Sequence, residues 1–247
     1  MQSYEESVTV EQAGRNLQEE CMAGFGFDIK FPPAGTNPPP SNNSMNMPRR
    51  YGITDRETAA RYGYQLSESE EARPQGPQLS EAAVAVLTGR KGRGPNAELA
   101  PDTYKGKKIP KDGCAGSSFA KVGGRLDGSL PETLAYESQT KSQERPKVRS
   151  AIKDWSDCMK KSGYDVADPY DAVKLNPSSG NGQASQAEIA TAIADIDCKK
   201  QTDLVKIWFE EETSIQHEQI AQNALALDEL KKKNTAAVKA AERVLRG

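Results

Sequence analysis

Residues 21–29 read Cys21-Met22-Ala23-Gly24-Phe25-Gly26-Phe27-Asp28-Ile29, and residues 158–166 read Cys158-Met159-Lys160-Lys161-Ser162-Gly163-Tyr164-Asp165-Val166. Six of the nine positions correspond in kind. The pattern is that of a helix terminus. Gly26 and Gly163 stand where the chain leaves the helix through the left-handed region, which a residue without Cβ enters at no steric cost. Four residues before each glycine is a methionine, and just after it an aromatic residue, the two positions that a Schellman-type end brings into contact. Each cysteine then lies on the last turns of its helix, able to bridge to a neighbouring element. The match implies duplication of a structural module.

The chain has four cysteines, so three pairings are possible. Cys114 and Cys198 follow later in their respective halves, and the symmetry of the repeat pairs Cys21 with Cys114 and Cys158 with Cys198. Each bridge closes a long loop, worth roughly 4 kcal/mol in the chain-entropy view. Metal is not expected, because the sequence has a single histidine, His217, and no close cysteine pair of the zinc type. Disulfides would place the protein outside a reducing cytosol, secreted or at the cell surface, with a signal segment removed ahead of Met1.

Staples suit this composition. Hydrophobic residues make up 36% of 247 and aromatics 6%, enough for thin helical cores but not for a large buried sheet. Net charge is −2, which leaves no global field to hold nucleic acid or an acidic surface, so an electrostatic partner must be met by a local patch. No apolar run approaches the roughly 20 residues that cross a bilayer.

The expected fold is all-α, mainly helical with long irregular loops, in two modules at 1–128 and 129–247. Thr9 and Gln12 suggest a capping box for a helix over about 10–25. Thr54 with Glu57 opens a short helix to Gly63, and Ser80 opens another from Glu81 to Thr88 that stops at Gly89. A further stretch begins at Cys114 and ends at Gly123-Gly124. Ser129, Pro131 and Glu132 start a helix that Pro146 breaks or restarts. Val148, Ile152, Trp155 and Met159 form an apolar stripe at helical spacing. Between Ser185, capped with Glu188, and Arg246 there is neither glycine nor proline, which predicts helix from about 186 to at least 230. Its first half should bury Ile193, Ile196 and Leu204 against the Trp155 helix. Its second half should fold back near Asn234, cover the first module or project as a coiled-coil arm.

Candidate chemistry is sparse. His217 lies among Gln216, Glu218 and Gln219 on a helix, a solvated setting with no oriented nucleophile. Cys114 in Gly113-Cys114-Ala115-Gly116-Ser117 lacks the flanking pattern of a papain-type thiol, and a disulfide explains it better. Asp195 with Asp197, and Glu210, Glu211 and Glu212, diverge around a helix axis and form no converged acid pair. The Gly-x-Gly elements at 89–94 and 123–128 fit neither a P-loop nor a dinucleotide fingerprint. No catalytic residue, cofactor or nucleic-acid contact is therefore expected. One asymmetry stands out: Arg90, Lys91, Arg93, Lys105, Lys107, Lys108 and Lys111 face only Glu98 and Asp102 in the same loop. Such a loop can touch an anionic wall polymer, lipid headgroups or an acidic partner.

Tyr51-Gly52-Ile53-Thr54, Arg61-Tyr62-Gly63-Tyr64, Ala85-Val86-Leu87-Thr88-Gly89, Gly113-Cys114, Trp155-x-x-Cys158-Met159 and Ala194-Asp195-x-Asp197-Cys198 together resemble uncharacterised exported proteins and lipoproteins of actinobacteria. The resemblance runs from about residue 10 to the C-terminus. It implies envelope work, a signal or lipobox segment in the precursor, and a place beside ABC-type exporters and peptidoglycan-binding proteins. The function expected is a non-enzymatic binding or adaptor protein with a protein partner at the cell surface. Its contact surfaces would be the C-terminal helix and the loops 31–50 and 89–113. The competing readings are a secreted envelope-acting enzyme and a structural or competition factor.

Overall fold

The first helix, α1 (Tyr4–Gly24), opens on Ser3, whose hydroxyl accepts from the Glu6 amide while the Glu6 carboxylate accepts from the Ser3 amide. This capping box starts the helix well before Thr9, the cap expected from sequence. Thr9 instead donates to the Glu5 carbonyl inside the helix, and Gln12 accepts from the Ala34 amide. The remaining α-helices among the described residues are α2 (Arg56–Tyr62), α3 (Glu81–Thr88), α4 (Gly113–Lys121), α5 (Ser129–Gln143), α6 (Pro146–Lys161), α7 (Gln186–Gln201), α8 (Leu204–Gln222) and α9 (Ala224–Arg246). Two small antiparallel ribbons lie between α3 and α4: β1 (Arg90–Lys91) with β2 (Glu98–Leu99), and β3 (Thr103–Tyr104) with β4 (Lys107–Lys108). This computed structural model describes residues 3–35, 49–65, 76–92, 94, 96–176 and 184–247. The fold is mainly all-α, as expected.

Both repeated motifs end their helices in the same way. Gly26 and Gly163 have φ of 84° and 91°. The Phe27 amide donates to the Met22 carbonyl and the Tyr164 amide to the Met159 carbonyl, the longer bond of a Schellman end. Met22 and Met159 are fully buried, and the correspondence continues outward to Ile29 and Val166, each 8% exposed. The bridges are Cys21–Cys114 and Cys158–Cys198, each with a Cα separation of 5.7 Å.

The chain divides into two units that meet the expected boundary between residues 128 and 129, but a segment from each half belongs to the other unit. One unit comprises residues 1–38, 71–128 and 225–247; the other comprises 39–70 and 129–224. In the first, α1 packs on α4 and α3, and the Cys21–Cys114 bridge sits in a cluster with Met22, Val86, Leu87 and Ile109. Gly14, in mid-helix on α1, lies under the Phe119 ring, where a Cβ would collide with it. Helix α9 completes this unit, because Val238 and Ala241 close over Val10, Ala13, Phe119 and Val122. Asn234 is buried within α9, where its side chain accepts from the Asp127 amide and donates to the Asp127 carbonyl; it is not a bend.

In the second unit, α6 packs on α7 and α8, and α5 on α8. Its main cluster joins Val148, Trp155 and Met159 to Cys198, Leu204 and Trp208. The expected stripe on α6 is thus core, with Ile152 at its edge. Helix α2 packs on α7 through Ile53, Ala59, Ala192 and Ile196. Of the three residues expected against Trp155, Ile193 and Ile196 on α7 therefore lie in the cluster with α2, while Leu204, the first residue of α8, joins the tryptophan. The cap of α2 is Asp55 rather than Thr54, its carboxylate accepting from the Thr58 amide.

The single long helix expected after Ser185 is three helices. It breaks at Thr202–Asp203, where Asp203 takes φ 51°, and again at Asn223. Aspartate and asparagine are the residues besides glycine that tolerate or terminate such turns, through their short polar side chains. The Thr202 hydroxyl donates to the Cys198 carbonyl and Asn223 Nδ2 to the Gln219 carbonyl, each beside the backbone amide of the same residue, so the last ladder bond is doubled at each end. The break at 202–203 lets α7 and α8 both lie on α6.

Candidate functional site

Two buried polar networks in the second unit concern the acidic residues considered as acid–base candidates. The Asp195 carboxylate accepts from Trp155 Nε1 at 2.9 Å, Lys199 Nζ at 3.0 Å and the Tyr64 hydroxyl at 3.2 Å. Lys199 also donates to the Ile53 carbonyl at 3.0 Å. Burial pushes the Lys199 pKa down and that of Asp195 up. Asp197, two residues on, is exposed and pairs with Arg56. Glu212 lies in a second network: it pairs with Arg50 and accepts from the Tyr51 hydroxyl at 2.7 Å, Ser138 Oγ at 2.8 Å and Gln216 Nε2 at 3.0 Å. Burial alone would raise the Glu212 pKa, but the bonds from Arg50, Tyr51 and Ser138 outweigh it and hold it below the ordinary value. Tyr170 donates to the Arg50 carbonyl and accepts from Gln139, and burial raises its pKa to about 12.

These networks tie residues 49–65 into the second unit. Arg50, Ser138 and Lys199 have no sequence motif that announces them, and Tyr51 and Tyr64 lie in segments whose resemblance to exported proteins gives them no role. A trace exists on α8, where the buried positions Trp208, Glu212, Ile215 and Gln219 follow helical spacing with a carboxylate among them. The other acids of that run, Glu210 and Glu211, lie on different sides of the helix; Glu211 pairs with Lys147. His217 is exposed. All four cysteines are bonded, so Cys114 is no thiol. Among the described residues no group of three His, Cys, Asp or Glu is placed to hold a metal, and no helix is long and apolar enough to cross a membrane.

The basic loop is ordered by the two ribbons. Gly89 ends α3 in the left-handed conformation, and its carbonyl accepts from the Ala100 amide, closing the first hairpin. Thr88 Oγ1 accepts from the Arg90 amide, and Arg90 Nη1 donates to the Ala97 carbonyl. In the register Arg90 pairs with Leu99 and Lys91 with Glu98. Cross-strand partners share a face, so Arg90 and Leu99 point one way and Lys91 and Glu98 the other. In the second hairpin Thr103 pairs with Lys108 and Tyr104 with Lys107. The inner face is the second pair: the Tyr104 ring packs 5.1 Å from that of Phe27, and Lys107 Nζ donates to the Gly24 carbonyl at the end of α1, where the helix dipole favours a cation. Lys105 Nζ lies 5.4 Å from the centre of the Tyr104 ring.

Arg90, Lys91, Lys105, Lys107, Lys108 and Lys111 are all exposed, and among the described residues only Lys91 forms an ion pair, with Glu98 at 3.6 Å. Arg93 lies outside the described residues, as do residues 36–48 of the loop 31–50. The structure therefore gathers six of the seven predicted cations on one loop beside the Cys21–Cys114 bridge. Like charges gathered in this way favour multivalent anions by Coulomb forces. Comparison of the chain with protein-family models, curated proteins and solved structures gave no match.

Proposed function

We propose that this protein is a non-enzymatic binding or adaptor protein of the extracellular space or cell envelope, whose contact surface is the cationic double hairpin of residues 89–111. The observation that carries this reading is the display of exposed cations on hydrogen-bonded ribbons in a chain of net charge −2. The buried ionisable groups support it from the other side, because Glu212 and Asp195 each receive three or more donors from within the fold. Two disulfides suit an oxidising location. The likeness to actinobacterial exported proteins supports envelope work, with an accessory role beside an ABC-type exporter and an anionic wall polymer or acidic protein face as partner.

The test is retention on an immobilised polyanion. A protein of net charge −2 without a local patch elutes in the void. This one is expected to be retained at low salt and released as salt screens the contacts. The combined variant Arg90→Glu, Lys105→Glu, Lys108→Glu, Lys111→Glu is expected to lose retention while keeping its melting temperature. Elution of the wild type in the void at roughly 50 mM salt sinks the reading.

A further inference from the structure

We infer that the first hairpin docks on an anionic lipid bilayer surface, with Leu99 entering the interface and Arg90 beside it at the phosphates; this rests on the reading of the double hairpin as an anion-binding surface. A lone exposed leucine ordinarily carries no meaning. Leu99 differs by its company. It is 76% exposed, stands directly across the ladder from Arg90, and so shares a face with that cation. The acidic residue of the ribbon, Glu98, lies on the opposite face against Lys91. One side of the ribbon thus offers an aliphatic group and a guanidinium, and the carboxylate faces away.

A soluble polyanion rewards the cation alone and leaves the leucine in water. A bilayer interface rewards both, because the leucine leaves water for the acyl boundary while the cations meet lipid phosphates. Each cation near such a surface strengthens attachment by about fivefold, so the exposed lysines of the second hairpin add to the same attraction without needing depth.

The experiment uses the full disulfide-bonded chain and vesicles of phosphatidylcholine with roughly one-third phosphatidylglycerol. Leu99→Ser keeps every charge, and at an exposed site it leaves the fold intact. It is expected to weaken vesicle binding by roughly tenfold while leaving retention on the soluble polyanion unchanged. A second variant, Leu99→Trp, adds an indole to a chain whose Trp155 and Trp208 are both fully buried, so a blue shift on adding vesicles reports insertion at this position. Equal vesicle binding by wild type and Leu99→Ser, or no blue shift, overturns the inference. If the wild type ignores vesicles yet holds the polyanion, the inference fails and the anion-binding reading stands; if it ignores both, the two fail together.

Discussion

Glu212 is 1% exposed and joins Arg50, Tyr51, Ser138 and Gln216, residues drawn from α5, α8 and the chain ahead of α2. Removing one partner of a buried ion pair leaves the other charge without compensation, which costs about 3–5 kcal/mol. Glu212→Ala is therefore expected to lower the denaturation midpoint far more than Glu210→Ala on the exposed side of the same helix. The pair also sets a pH dependence. The folded-state pKa of Glu212 is below its ordinary 4.5, so its stabilisation is complete above that value and is lost as pH falls through the folded pKa. Acid melts of the wild type should show this loss. Glu212→Gln should lack that component of the acid response, and an identical acid profile would mean that the ion pair does not contribute as described.

At the scale of elements, the two matched helix ends are the most local devices in the chain. A β-branched side chain at the left-handed Gly163, φ 91°, is expected to cost about 1–2 kcal/mol, because its Cβ crowds the neighbouring carbonyl. Gly163→Val measured by denaturant unfolding checks this, and unchanged stability would show that α6 can end in another way. These ends could be recognised in the sequence because everything they need lies within six residues. The same is true of the caps at Ser80 and Ser185 and of the restart at Pro146. The breaks at Asp203 and Asn223 were hidden, since neither residue stops a helix by itself. At Asp203 it is the packing of both α7 and α8 on α6 that rewards a turn.

Across the whole molecule, the segments have been exchanged between halves: 39–70 belongs with the C-terminal unit and 225–247 with the N-terminal one. Helix α9 is core to its unit, so truncation after Ala224 uncovers Val10, Ala13, Phe119 and Val122. Hydrogen exchange is expected to accelerate through α1 and α4. Emission of Trp155 and Trp208, both in the other unit, should stay that of buried indoles. Protected α1 amides in the truncated protein would show that α9 is dispensable, and the arm reading of the C-terminus would return.

The helical class, the two helix ends and, through their symmetry, both disulfides are legible in the chain, because these depend on residue type at short spacing. So is the cationic loop, since charge is written directly in composition. Which face of that loop Leu99 shares, which acids are buried, and which half of the chain each segment completes follow from the assembled fold. Arg50 meets Glu212 across 162 positions and Lys199 meets Ile53 across 146. Contacts of that span are selected by the shape and unsatisfied polarity of the assembled helices, which no local pattern encodes.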